Sequence, residues 1–467
     1  LFHVHQTVCP RRLLRGLGRR KAARASAVAA VAWAAVGLST GPAAAATWVV
    51  ARGGGAATIS EALDRAAPGD TIVVRGGTHR GPVAVNKPVR LVGEGGPVID
   101  GGGRGTVVLL KAAGCEFRGF VVRSSGDLLA SEDVGVLSTA PEVRIADNRF
   151  DDVLFGVYLR RAPRNVVRGN TLHGKDLPVA RRGDLVRLWY SDDATIEGNT
   201  VEGGRDVVLW YSKRLALRDN RVSGGRYGLH FMYCDDATVT GNRLTGNSVG
   251  AFLMYSRRLR LERNWVVGNR GVSGYGIGLK DMTDSHITRN VLAANRVGLF
   301  LEHARGSVRE NLVSGNDKGV VLFPSARGNL IEANSFAGNG DQVEIEGFSD
   351  TMTGNTWRGN YWSDYRGYDL DGDGTGDLAY RPSRLFERIS DNAPALRLFA
   401  DSPSAQAIDF AAGVFPIFEP KPKFVDEAPR MRPLPPPVVM ASAAGWPWAL
   451  LGAAFVAWPV ALILGRS

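Results

Sequence analysis

Short apolar bursts separated by polar turns recur along the middle of the chain. Gly156-Val-Tyr-Leu159, Asp206-Val-Val-Leu209, Gly228-Leu-His-Phe231, Gly250-Ala-Phe-Leu253, Gly276-Ile-Gly-Leu279 and Gly298-Leu-Phe-Leu301 are variants of one run. An Asn punctuates them at 148, 170, 199, 220, 242, 264, 290, 311, 334 and 355, at intervals of 21–23 residues apart from one of 29 and one of 26. A period near 22 with alternating β-branched and apolar residues predicts a solenoid. Leucine-rich repeats share the period but need Leu-x-x-Leu-x-Leu, which is absent. Each repeat offers two or three short strands between Gly/Asn turns, so the predicted fold is all-β, a right-handed parallel β-helix of about ten or eleven coils. The Asn row reads as structural: Asn tolerates left-handed turns, and its amide can pair with the Asn one coil away.

Counting back from each Asn aligns the strands. Eleven residues before lie Leu188, Leu209, Phe231, Leu253, Leu279 and Phe300; ten before lie Trp189, Trp210, Met232, Met254, Lys280 and Leu301. Strand side chains alternate faces, so the first column is predicted to be core and the second surface. At the N-terminal end, Thr58-Ile-Ser-Glu61 is a capping box opening a short helix, with Ile59, Leu63 and Ala66 on one face. That helix is expected to cover the open end of the coil, and Trp357–Tyr365 the other.

The chain has 467 residues and a net charge of +11, which alone would suggest a nucleic-acid partner. Seven basic residues and no acid fall within 1–46, however, and the remainder holds 50 basic against 46 acidic residues. Nucleic-acid binding is therefore not expected. Basic residues, the apolar run Ala25–Leu38 and Ala44-Ala45-Ala46 make 1–46 a predicted signal peptide. Trp446–Gly465 has no charged side chain and is just long enough for a transmembrane helix over 446–465. Residues 401–445, Pro-rich from 415, read as a tether. The predicted location is periplasmic, anchored to the cytoplasmic (inner) membrane, with the β-helix over 47–400. Cys115 and Cys234 should be free thiols, because the coil holds them too far apart to bridge.

Two stretches carry a family resemblance. Thr58–Arg75, with Val89-Arg-Leu-Val-Gly-Glu94 and Val98-Ile-Asp-Gly101, resembles the opening of CASH-type carbohydrate-binding and sugar-hydrolase β-helices. Asn360-Tyr-Trp-Ser-Asp-Tyr365, the Asp/Gly run Gly367–Asp377 and Tyr380, taken with the Asn-punctuated coils, resemble the NosD family. That resemblance implies an exported, non-enzymatic accessory protein for copper-site maturation of nitrous oxide reductase. It implies as partners an ABC transporter (ATPase plus permease), a copper-chaperone lipoprotein and the reductase. No G-x-x-x-x-G-K-[ST] loop occurs in the chain, so ATP hydrolysis would belong to another subunit.

The outward column then acquires chemistry. Its expected same-face neighbours include His230, Cys234, Phe252, Met282 and His303. Imidazole, thiolate and thioether favour copper, Cu(I) above all. The candidate copper ligands are His230, Met232, Cys234, Met254, Met282 and His303, while Trp189, Trp210 and Phe252 form a partner-docking strip. Docking alone and metal ligation both remain open on the sequence. Asp369, Asp371, Asp373 and Asp377 match positions 1, 3, 5 and 9 of a calcium loop, with Tyr380 where a bidentate Glu is usual. The rival class is a β-helix polysaccharide lyase, hydrolase or epimerase, or a carbohydrate-binding protein. No paired-acid constellation is expected on the exposed face.

Overall fold

The computed structural model describes residues 45–51, 55–346, 354–382, 389, 394–399, 402–414 and 422–435. They form a parallel β-helix. One sheet of 13 strands, from Thr78–Arg80 to Tyr361–Trp362, contributes one strand per coil, and a 24-stranded sheet supplies the rest of the wall. There are more coils than the Asn spacing predicted because the solenoid begins before the Asn row does. Strands Val83–Val85 and Val108–Leu110 already stack in parallel, far upstream of Asn148.

The Asn row is a continuous buried ladder. The backbone N–H and Nδ2 of Asn148 both donate to Oδ1 of Asn170 at 3.0 Å, and the pattern repeats coil by coil to Asn334. Its last Asn is Asn360, not Asn355 as the spacing suggested; Asn355 instead receives Asn329 in a different corner. A second ladder, Asn247, Asn269, Asn295, Asn316 and Asn339, escaped the sequence reading. These amides satisfy carbonyls and N–H groups at corners where the backbone turns and cannot pair with itself.

Leu188, Leu209, Phe231 and Leu253 are fully buried and Leu279 nearly so, as predicted. The alignment slips by one at the next coil. Leu301 pairs with Leu279 and joins the core, while Phe300 pairs with Gly278 and faces outward. The stretch from Leu301 to Asn311 is one residue shorter than its counterparts, which shifts the count.

Both ends are closed. Helix Ile59–Arg65 buries Ile59, Ala62 and Leu63 on the first coils, with the Thr58 hydroxyl accepting from Glu61 N–H. Lys87 Nζ donates to the carbonyls of Leu63, Asp64 and Ala66 and so satisfies the helix C-terminus. At the far end Trp357 and Trp362 stack with Phe424 and Tyr380. Phe424 belongs to the segment expected to be a free tether. That expectation is corrected for residues 422–435: Phe424 and Asp426 are buried against the last coil, and Leu434 N–H donates to Ser335 Oγ. Pro403–Val414, within the same expected tether, is a helix. The predicted signal peptide and the predicted span 446–465 lie outside the described residues, apart from Ala45 and Ala46. Among the described residues no helix is long and apolar enough to cross a membrane. Cys115 and Cys234 are free and buried.

Candidate functional site

One outer face of the coil concentrates the unusual residues. Trp189, Trp210, Met232, Met254 and Lys280 are register partners on successive strands, half-buried, and form one outward row. Lys280 ends the soft part of the row by pairing with Glu302 at 2.9 Å. Parallel to it, two residues earlier on each strand, run Arg187, Val208, His230, Phe252 and Gly278. Gly278 lets the aromatic wall close over it: a Cβ there would meet Phe252 at 2.6 Å. Trp189 and Trp210 meet edge to face at 5.9 Å, and Phe252 sits between Tyr227 and Tyr275.

His230 is the polar centre of this face. It is 7% exposed, lies 5.6 Å from the Trp210 ring and 4.8 Å from Tyr227, and neither ring nitrogen has a hydrogen-bond partner. Asp206 Oδ2 approaches Nδ1 only to 3.9 Å, beyond hydrogen-bond reach. Trp210 Nε1 and Arg187 Nε are likewise buried and unpartnered. An unsatisfied buried polar group costs about 1–3 kcal/mol, so four such atoms on adjacent strands mark a face built to meet something else.

The acids around it were missed in the sequence. Asp184 and Asp206 are almost fully buried, and Arg205 bridges them, at 3.0 Å from Asp184 Oδ1 and 3.7 Å from Asp206 Oδ2. Glu132 holds Arg187 at 2.9 Å. Burial pushes the Asp184 carboxyl up to about 6, with Asp206 adding repulsion against the pull of Arg205 and Arg187. Burial also acts to raise Asp206, but His230 and the Arg226 guanidinium outweigh it and hold that carboxyl below its ordinary range. The two acids lie buried under this face, not exposed on it, and arginines tie up both. An Asp directly before an apolar run, as in Asp184-Leu-Val186 and Asp206-Val-Val-Leu209, was the available signal.

Of the six copper candidates, the structure brings three together: His230, Met232 and Met254. Cys234 faces the core. It occupies the position of Ser191, Ser212 and Ser256 in neighbouring coils, its Sγ donates to Leu209 O at 3.1 Å, and burial pushes its thiol up to about 12. Met282 is fully buried in the core beside Ala304. His303 is exposed within the strand Val297–Arg309, 3.9 Å from Asp281. The cause is common to all three. Tyr233, Asp281 and His303 have φ of 57°, 51° and 47°, so alternation fails once the strand leaves its last outward residue. Trp189, Trp210 and Phe252 do lie on the outer face.

Asp369, Asp371 and Asp373 bring their carboxylate oxygens within 4.8 Å of one another, a donor set that suits a hard dication. The turn is also held by its own amides: Gly372 and Gly374 N–H donate to Asp369, and Leu370 N–H to Asp377. The Tyr380 hydroxyl donates to Asp364 at 3.0 Å.

Residues 171–367 match the family model described as periplasmic copper-binding protein (NosD). A Pseudomonas aeruginosa protein named probable ABC transporter binding protein NosD is 30% identical over 383 residues, covering 76% of this chain and 87% of the relative. This chain belongs to the NosD family. A Stutzerimonas stutzeri NosD of the same name is 29% identical, with 76% of this chain and 85% of that relative covered. Among solved structures, the A-module of an Azotobacter vinelandii mannuronan C-5 epimerase superposes with a TM-score of 0.51 at 15% identity, covering 64% of this chain and 93% of the module. That likeness establishes the solenoid alone. The NosD match begins at Thr171 and spans the whole soft row and the Tyr-bearing turns beside it, ending at Gly367, just before the Asp/Gly loop.

Proposed function

We propose that this NosD-family chain is a periplasmic, non-catalytic accessory protein that takes copper as cargo on its outer face and passes it on during copper-site maturation of nitrous oxide reductase. The reading is supported by one observation above all: Met232 and Met254 are register partners, and His230 beside them has two buried ring nitrogens without a hydrogen bond, with Asp206 at 3.9 Å as its ionic neighbour. Thioether and imidazole together favour Cu(I), and an open, shared set allows release where a closed thiolate site would not. The family description and the relatives' names support copper and an ABC transporter as associates. The ATPase and permease would be separate subunits, with a copper-chaperone lipoprotein as donor and the inner membrane as the platform.

The test is anaerobic Cu(I) titration of the purified chain against the His230→Ala/Met232→Ala/Met254→Ala variant, alongside pull-downs with the transporter and the chaperone. Loss of Cu(I) affinity is the expected result. Unchanged affinity with lost pull-down would reduce the row to docking, and no change in either would remove it from function.

A second reading, a polysaccharide lyase or epimerase, draws on Asp184 with its raised carboxyl beside the charged Asp206. Both acids are buried and held by arginines, which leaves them poorly placed to reach a polymer. Reproducible cleavage or epimerisation of uronans by the purified chain would restore it.

A further inference from the structure

Four tyrosines line the turn that follows the soft row. Tyr190, Tyr211, Tyr233 and Tyr255 stack at centroid spacings of 5.0, 5.1 and 5.1 Å, with ring planes within 15° of parallel. All four have left-handed backbones, with φ between 50° and 57°. Left-handed corners recur throughout the coil, at Asp147, Gly169, Gly198 and Asp219 and also at Arg161, Arg263 and Arg289; at these four they carry tyrosine. Tyrosine fills this corner through four successive coils, with Tyr190, Tyr233 and Tyr255 at 49%, 43% and 38% exposure, which leaves the edge of a continuous aromatic stack open to solvent.

The stack ends abruptly. In the next coil the equivalent position is Asp281, whose φ is 51°, so the face of Tyr255 that points along the coil meets a carboxylate instead of a fifth ring. A cavity of about 440 Å³ opens there, lined by Tyr233, Tyr255, Asp235 and Asp281 together with Arg257 and Lys213. Arg257 is turned onto Asp235 at 3.3 Å, and Lys213 lies two coils back, beside Tyr211. The His303 imidazole lies 3.9 Å from Asp281. Among the described residues no arginine of the chain lies over any of the four rings.

We propose that the slot between Tyr255 and Asp281 binds the guanidinium group of an arginine on a docked partner protein. A guanidinium is flat, stacks on an aromatic face and presents its edge N–H groups to a carboxylate, so it extends the stack by one plane while neutralising Asp281. An ammonium, compact and strongly hydrated, uses neither the plane nor the fork. The occupant is a protein because the surroundings are those of an interface: exposed tyrosines in a row, with Trp and Met flanking them. Met232 and Met254 immediately precede Tyr233 and Tyr255, so a partner anchored in the slot lies over the methionine pair. The slot does not depend on copper being held there.

The experiment is saturation-transfer NMR of the whole purified chain with acetyl-Gly-Arg-Gly-amide, its Gln analogue and its Lys analogue. The arginine peptide should show saturation of its side-chain protons with a Kd on the order of millimolar, and the Gln analogue none. Asp281→Asn and Tyr255→Leu should each weaken binding roughly three- to tenfold, Tyr255→Phe should keep it, and Met232→Leu/Met254→Leu should leave it unchanged. Equal binding of the Gln peptide, a stronger response to the Lys peptide, or unchanged arginine binding in the near-isosteric Asp281→Asn variant would each overturn the proposal. Retention in the methionine variant separates this slot from the copper reading.

Discussion

Asp426 stands where the next asparagine of the ladder would stand. Its Oδ2 accepts the Asn360 N–H at 3.0 Å and the Asn360 Nδ2 at 2.9 Å, and also faces Trp362 Nε1 at 3.2 Å. Oδ1 takes the N–H of Gly359 at 2.9 Å. A residue 66 positions along the chain thus terminates the repeat from outside it. Asp426→Ala should strand these buried donors and cost about 3 kcal/mol or more, whereas Asp426→Asn should recover about half through its single acceptor oxygen. Denaturant midpoints, with hydrogen exchange at residues 355–362 as the local probe, check the ranking.

The alternation of core and surface can be tested at neighbouring positions. Leu253 is fully buried and Met254 is half-buried on the outer row. Leu253→Asp should destabilise by several kcal/mol, because an unpaired carboxylate would be forced into an apolar interior. Met254→Asp should cost less than about 1 kcal/mol by the same urea titration. Similar midpoints for the two would overturn the assignment of faces.

Asp184 gives a pH dependence with a definite sign. Its folded carboxyl titrates near 6, above the ordinary value of 3.8, chiefly because burial penalises the charge. Its contribution is therefore most favourable below about pH 4 and is lost as the pH rises through about 6, a change on the order of 3 kcal/mol. Asp184→Asn removes that titration. The stability of the variant relative to the parent should climb between pH 4 and pH 7; a flat difference across that range would contradict the burial argument.

Cys234 and Met282 should be silent in copper binding. Cys234→Ser places a hydroxyl where three neighbouring coils already have one, so stability should change by about 1 kcal/mol or less and Cu(I) affinity not at all. With its thiol pushed up to about 12, Cys234 should react with thiol reagents only as fast as the coil opens. Rapid labelling of the native chain would show that the side chain is not where the structure places it.

The repeat was legible because its determinants are local: an Asn at each corner and an apolar residue at every second strand position. The soft row was legible for the same reason, and Trp189, Trp210, Met232 and Met254 all face outward. The reading failed where geometry changes within one residue. At Tyr233 and Asp281 a left-handed backbone turns the chain inward, so Cys234 and Met282, which alternation placed outside, are core. It also failed across long separations. Nothing in the spacing of residues 401–445 announces that Phe424 and Asp426 complete a wall ending at Trp362. The tyrosine stack was hidden in plain sight, each Tyr one place beyond the column being followed.

The asparagine ladder points one way. Its Asn-to-Asn bonds all run toward the C-terminal coil and end on a carboxylate, while each Nδ2 also donates back to a carbonyl of the preceding coil, as Asn148 does to Phe117 and Asn334 to Val308. Hydrogen-bonded amides in line polarise one another, so sliding or tilting one coil would disturb its neighbours on both sides. Thirteen stacked strands at about 4.8 Å make a strut on the order of 60 Å long, with Met254 some 20 Å from its last coil. Such a strut does not flex to hand anything over. On the proposed copper reading, a pivot at one end of such a strut would carry the cargo a distance set by the pivot angle and by its place along the shaft.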